Sequence, residues 1–208
     1  GCGHRGVFYT LSRMGVAVTG DIGCYTLGSL PPLESMDACL CMGASVGMAQ
    51  GMEIALRAAG DTRPVVGVIG DSTFVHSGIT GLINTVYNGG SGTLLLLDNG
   101  TTAMTGHQEH PGTGVTAEGD ATIALDYVAV CHAVGVRRVR EADPYDLEAL
   151  EAAIREELAA DEPSVIVCRA VCRLVDRDRD TGGYLICTDR VGAGPDETVL
   201  ILDEGTSA

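Results

Sequence analysis

Two runs constrain this chain more than anything else in it. Residues 65–69 (VVGVI) and 93–97 (TLLLL) are apolar without alternation. A strand with one wet face alternates; a strand buried on both faces reads as one continuous apolar run. Between them, Ile79, Leu82, Ile83, Val86 and Tyr87 recur at the helical period across residues 77–88. Strand, helix, strand with both strands covered predicts an α/β fold: a doubly wound, mostly parallel sheet with helices on both faces.

The rest of the chain extends that pattern. Residues 4–14 read as a helix with Val7, Phe8, Leu11 and Met14 on one side, and 16–19 as a short strand. Residues 20–33 form a loop ending in Pro31-Pro32, and 38–42 a short buried strand. Residues 45–58 form a helix in which Gly43, Gly47 and Gly51 make a stripe that another backbone can approach, within the fold or across a homodimer. The Gly/Thr/His-rich stretch 99–120 is a long loop, of a length that usually carries function. A helix at 122–134, a strand at 136–140, an acidic amphipathic helix at 144–160 and a last core strand at 164–168 complete the domain. Past residue 175 the pattern dissolves, so 1–175 reads as the domain and 176–208 as a tail, linker or small appendage.

Composition excludes some functions. The formal net charge is −15, which repels phosphate backbones and argues against nucleic acid as a partner. By the same logic, a bound diphosphate needs a metal ion to bridge it to this protein. No apolar run spans a membrane and no secretion signal opens the sequence, which points to the cytoplasm. The start at Gly1-Cys2-Gly3-His4 looks cut from something longer. The eight cysteines are then expected as thiols, with Cys39, Cys41 and Cys131 acting as small hydrophobes.

Ligands in doubly wound folds bind beyond the carboxyl ends of the strands. Gly70-Asp71-Ser72 follows one apolar strand directly, and Asp98-Asn99-Gly100-Thr101 follows the next. Neighbouring parallel strands would set a carboxylate beside an amide oxygen, hard ligands suited to Mg²⁺ and phosphate oxygens. The helix expected near Ser77 would turn its N-terminal dipole toward a diphosphate. Alone, Gly-Asp-Ser also fits a turn whose Asp caps the next helix. The second element on the adjacent strand favours the metal.

These residues resemble the motif of thiamine-diphosphate (ThDP) enzymes, Gly-Asp-Gly followed after about twenty-five to thirty residues by Asn. Ser72 stands where the third Gly is usual. GDIGCYTLG (20–28), MDACLCMGASVGMAQG (36–51), VIGDSTFVHSGITGLIN (68–84) and LDNGTTAMTGHQ (97–108) together resemble the diphosphate-binding domain of the large (alpha) subunit in the indolepyruvate:ferredoxin oxidoreductase family, one of the 2-oxoacid:ferredoxin oxidoreductases. The resemblance covers residues 1–175. It implies Mg²⁺ held by Asp71, Asn99 and the carbonyl of Thr101. It implies a cofactor lined by Cys24, Tyr25 and Thr26, by Gly70, Asp71, Ser72 and Thr73, and by Thr102, Ala103, Met104 and Thr105. The implied reaction is oxidative decarboxylation of an arylpyruvate to an aryl-acetyl-CoA, with CoA as acyl acceptor and ferredoxin as electron acceptor. It needs a pyrimidine-binding domain, with its activating Glu, that nothing in this chain resembles, so the chain alone is expected to be inactive.

The same resemblance raises an Fe–S cluster in the full enzyme. Cys2, Cys24 and Cys172 match three of its cysteines and the fourth would lie upstream of Gly1, so this chain is not expected to hold one, since Cys₄ is the norm. His76, at a helix start, and His107, in the long loop, are candidates for proton transfer. A helix cap and a solvated loop are their plain alternatives, and His110 is read as solvated loop. Three rival functions stay open: a ThDP domain of a non-redox 2-oxoacid decarboxylase, a non-catalytic phosphate or nucleotide module, and a domain that has lost its cofactor. Against the module, the first strand–helix turn lacks Gly-x-Gly-x-x-Gly.

Overall fold

The computed structural model describes residues 2–175; the tail expected at 176–208, Cys187 included, lies outside them. In chain order the elements are α1 (Gly3–Leu11), β1 (Ala17–Gly20), β2 (Ala38–Cys39), α2 (Ala44–Ala58), β3 (Val65–Gly70), α3 (Asp71–Thr73), α4 (Ile79–Tyr87), β4 (Thr93–Asp98), α5 (Tyr127–Ala133), β5 (Arg138–Ala142), α6 (Leu147–Leu158) and β6 (Ser164–Arg169). Short 3₁₀ helices at Cys24–Ser29 and Ala103–Thr105 and a π-helix at Phe74–Gly78 complete the described chain.

The six strands form one sheet in the order β2-β1-β3-β4-β6-β5. Every pairing is parallel. The alternation of side chains across a strand divides β4 between two cores. Leu95 and Leu97 face α1 and α6, packing with Val7, Phe8, Leu11, Leu150 and Ile154. Leu94 and Leu96 face the other side, packing with Val46, Phe74, Leu82, Tyr127 and Cys131. Burial of each such leucine stabilises the fold by roughly 1.5–3 kcal/mol.

Order reverses between β1 and β3: from β1 the chain steps outward to β2, then returns to place β3 on the other flank. That switch point opens a crevice at the carboxyl ends of β1 and β3. Across β3 and β4, Gly70 is the partner of Leu97. The residues that follow, Asp71 on one strand and Asp98-Asn99 on the other, therefore leave the sheet side by side.

Several boundaries differ from expectation. The segment 38–42 is not a buried strand: only Ala38–Cys39 pair, at the sheet edge, and Leu40, Cys41 and Met42 are exposed. An edge position with a single two-residue ladder leaves the rest of that apolar run outside the core. The helix after β3 does not begin near Ser77. It begins at Asp71 and passes through the π-helix Phe74–Gly78 into α4. Apolar periodicity detects only the face packed on the core, which starts at Ile79. α5 begins at Tyr127 rather than residue 122, because the Asp126 carboxylate caps it by accepting the Ala129 N–H at 3.0 Å. Asp146 caps α6 in the same way. Glu157 is no part of a solvated acidic face. It is 1% exposed and pairs with the Nε of both Arg138 and Arg140 on β5, each at 2.6 Å. Of the glycine stripe, Gly43 meets Ser77 closely, whereas a Cβ on Gly47 or Gly51 would have nothing within 4 Å.

Candidate cofactor site

A cleft of about 240 Å³ occupies the switch point. Three loops wall it, one from each of β1, β3 and β4.

The first loop is set by Asp21, at the end of β1 and fully buried. Its Oδ2 accepts the Gly43 N–H at 2.9 Å and the Ser45 hydroxyl at 2.8 Å, tying the loop to the start of α2. The Tyr25 hydroxyl donates to its Oδ1. Burial pushes the Asp21 carboxyl up, and these hydrogen bonds pull it back. The phenol of Tyr25 is pushed up by burial and then by the Asp21 charge, so it stays a donor. Tyr25 packs so tightly on β3 that a Cβ at Gly70 would lie 2.7 Å from its ring. Sequence reasoning missed Asp21; the visible signal was its place directly after a strand, the same signal that Asp71 gave.

The second and third loops meet through Asp71. This carboxylate is 3% exposed. Oδ1 accepts the Ser72 N–H at 2.7 Å. Oδ2 accepts the N–H of Asn99 at 3.0 Å and of Gly100 at 2.9 Å. The Asn99 side-chain oxygen accepts the Thr101 N–H at 3.1 Å, which curls the third loop over the motif. Beside it, Asp98 pairs with Arg169 at 2.7 Å; burial and then the Asp71 charge raise its carboxyl.

Of the residues expected to line the cofactor, Cys24, Tyr25, Gly70 to Thr73 and Thr102 to Thr105 all border the cleft, as do Asn99 and Thr101. Thr26 does not. Its hydroxyl accepts the Gly23 N–H and donates to the Asp21 carbonyl, so it braces the turn from behind. His76 is exposed on the π-helix, its Nδ1 3.1 Å from the Ser77 hydroxyl. His107 is exposed with φ 61° and is not among the residues that border the cleft. The structure brings neither His76 nor His107 to the cleft.

His110, expected in a solvated loop, is buried behind the motif instead. Its Nδ1 accepts the Gly112 N–H at 3.2 Å and lies 3.4 Å from the Tyr127 hydroxyl. With Nδ1 accepting, the proton of a neutral ring sits on Nε2. That nitrogen lies 3.3 Å from Asp71 Oδ2, close but too poorly aligned for a hydrogen bond. The loop can fold inward because the bridge between Thr102 and Gln108 turns it back and Gly112 lets Tyr127 approach.

His4, in the first turn of α1, also borders the cleft and gave no signal in the sequence. Burial lowers its imidazole to about 4, against the opposing pull of the Asp71 charge, so the ring is neutral.

Cys24 borders the cleft, and Cys2 and Cys172 lie within electrostatic reach of it. Burial first, then neighbouring thiols of this trio, push Cys2 and Cys24 up. Among the described residues, no three His, Cys, Asp or Glu side chains form a group that could hold a metal ion. All seven described cysteines are free thiols.

A larger cavity, about 350 Å³, lies at the amino ends of the strands. Its arginines are engaged: Arg57 with Glu53 and Asp161, Arg63 with Asp61. Among the described residues no helix is long and apolar enough to cross a membrane.

The chain resembles proteins of known kind. Indolepyruvate oxidoreductase subunit IorA of Archaeoglobus fulgidus is 41% identical over 192 residues, covering 89% of this chain and 30% of that protein. The subunit of the same name from Pyrococcus horikoshii is 39% identical over 186 residues, covering 83% and 28%. The chain thus spans about 30% of the length of the curated relatives it matches. In three dimensions it resembles 2-oxoglutarate:ferredoxin oxidoreductase from Magnetococcus marinus, with TM-score 0.69, 19% identity and coverage of 83% of this chain and 62% of that one. Benzoylformate decarboxylase from Polynucleobacter necessarius has TM-score 0.58 at 18% identity, covering 79% and 32%. At such identities these two show a shared fold. Residues 21–168 match the family described as thiamine pyrophosphate enzyme, C-terminal TPP binding domain. Asp71 and Asn99, joined across the ends of β3 and β4, lie inside that match, and the chain belongs to the thiamine pyrophosphate enzymes as their C-terminal TPP-binding domain.

Proposed function

We propose that this chain is the Mg-ThDP half-site of an indolepyruvate (2-oxoacid):ferredoxin oxidoreductase, whose reaction oxidatively decarboxylates an arylpyruvate to an aryl-acetyl-CoA and reduces ferredoxin. The observation that carries the reading is the junction of Asp71 with the Asn99-Gly100 backbone at the switch point. A carboxylate 3% exposed at the wall of an open cleft, with an amide oxygen on the adjacent loop, fits a hard divalent cation. Asp71, the Asn99 side chain and the Thr101 carbonyl would hold Mg²⁺, and the cation would bridge the cofactor's diphosphate to an acidic chain. When bound, ThDP supplies the nucleophilic carbon and the electron sink that decarboxylation of a 2-oxoacid requires. This chain's residues bind and orient: the loops after β1, β3 and β4 wall the cofactor, and buried Tyr25 braces Gly70 against the motif. His76 and His107 are exposed and do not line the cleft, so this reading assigns them no contact with the cofactor.

The other half of the site comes from a pyrimidine-binding domain, and without it the chain is inactive. Electron transfer to ferredoxin calls for an Fe–S cluster in the full enzyme. Three gathered thiols do not fit a four-iron cluster, which takes four, so no step is assigned to them. The open face at Gly47 and Gly51 leaves room for a second copy.

The test is a calorimetric titration of ThDP into the chain with Mg²⁺ and with EDTA, repeated for Asp71→Ala and with the pyrimidine-binding domain added. Saturable binding that needs Mg²⁺ and is lost in Asp71→Ala is expected. No binding even with the second domain present would overturn the reading.

A further inference from the structure

Both ring nitrogens of His4 are buried and neither has a hydrogen-bond partner. Buried polar groups in folded proteins are nearly always satisfied, and an unsatisfied one costs stability. The ring is not adrift. Tyr25 meets it edge-on, with centroids 6.3 Å apart and planes at 81°. That contact fixes where the imidazole sits but bonds neither nitrogen. His4 borders the same cleft as Asp71, Asn99 and Thr101. With no hydrogen bond at either nitrogen, the ring N–H is uncommitted.

The surroundings define what such a ring would meet. α1 has nine residues, no acidic residue in its first turn and no side-chain cap. Its amino end, which carries His4, therefore presents positive dipole that no side chain of its own first turn offsets. The Asp71 charge nearby repels a bare anion, so the group accepted here is an anion that arrives with a cation. We propose that His4 contacts the cofactor directly, its ring N–H donating to a phosphoryl oxygen of the metal-bound diphosphate. This rests on the Mg-ThDP reading above and adds to it a residue from outside the Asp–Asn motif. A neutral imidazole suits the role, because it donates a hydrogen bond without bringing a charge into a buried site. The unsatisfied state of the free protein is then the cost of a preformed contact.

The proposal makes stability and binding move in opposite directions. Metal-free His4→Leu, which removes a buried polar group without a partner, is expected to melt at or above the wild-type temperature. Its affinity for ThDP with Mg²⁺ is expected to fall roughly tenfold, the loss of one charge-assisted hydrogen bond. Inorganic diphosphate with Mg²⁺ should show the same loss, and unphosphorylated thiamine none. His4→Gln, which keeps a donor, should recover part of the affinity. Unchanged affinity in His4→Leu would overturn the proposal, and so would a parallel fall in stability and affinity, the mark of a purely structural residue. Wild-type protein that ignores Mg-ThDP, with the second domain present, would instead overturn the half-site reading and this contact with it.

Discussion

The Nε2 of His110 lies 3.3 Å from the Oδ2 of Asp71, with both side chains almost wholly buried. Three backbone N–H groups already fix that carboxylate, and the imidazole packs behind it without a hydrogen bond to it, which leaves the cleft side open. Groups that orient a metal-binding carboxylate from behind typically change metal affinity when removed. Replacing His110 by Leu is therefore expected to raise the Mg²⁺ concentration needed for half-maximal ThDP binding by roughly 10–100-fold. His110→Gln carries an N–H to about the same place and should lose less. Titrating Mg²⁺ at fixed ThDP measures this directly, and equal midpoints for wild type and His110→Leu would show that Asp71 needs no such support.

Gly70 works by close approach. Its φ of −81° and ψ of 157° suit any residue, so the requirement is space. A Cβ there would sit 2.7 Å from the Tyr25 ring, which Asp21 and the α2 start hold in place. Overpacking of this kind costs about 1–3 kcal/mol. Gly70→Ala should lower the urea midpoint by an amount in that range and weaken ThDP binding as well, because the displaced backbone carries Asp71. Gly70→Ala combined with Tyr25→Leu should regain part of the stability. A single variant as stable as wild type would mean that the Tyr25 loop yields freely.

The sheet was legible because β3 and β4 are buried on both faces and cannot alternate. The motif was legible for a related reason: a carboxylate and an amide placed directly after two such strands have few structural uses. What escaped reading depends on contacts distant in sequence. His110 looks like any loop histidine until Gly112 and Tyr127 fold it against Asp71. His4 is one of two polar residues in the first turn of an amphipathic helix, and only its place at the cleft wall sets it apart. Glu157 reads as one more charge on an acidic helix until β5 supplies two arginines. Periodicity reports burial of apolar faces, and it is silent on polar residues buried among partners.

Leu96 tests the two-core architecture. It is fully buried at the centre of β4 and packs toward α4 and α5. Leu96→Ala should destabilise the chain by about 2–5 kcal/mol, the usual cost of emptying such a site. Chemical denaturation measures it, with an unchanged slope if the cooperative unit is intact. A loss below about 1 kcal/mol would place Leu96 outside a tightly packed core.

The pH dependence of stability carries the signature of His4. Burial lowers its pKa from 6.5 to about 4 in the folded, metal-free chain. Between those values the unfolded chain binds the proton and the folded chain does not. Stability therefore rises with pH across this window, and falls as the medium is acidified from about 6.5 to about 4. A shift of this size corresponds to roughly 3 kcal/mol when each pKa unit is worth about 1.4 kcal/mol. The carboxylates of an acidic chain titrate over part of the same range, so the wild-type curve alone does not isolate the histidine. The difference between wild type and His4→Leu does, because every other group is common to both. Melts from pH 4 to 7.5 should show the wild type losing stability more steeply than the variant, with the two curves drawing apart below about pH 6.5. Parallel curves would mean that the imidazole is free to take up its proton in the folded state, and that it faces water rather than the buried wall of the cleft.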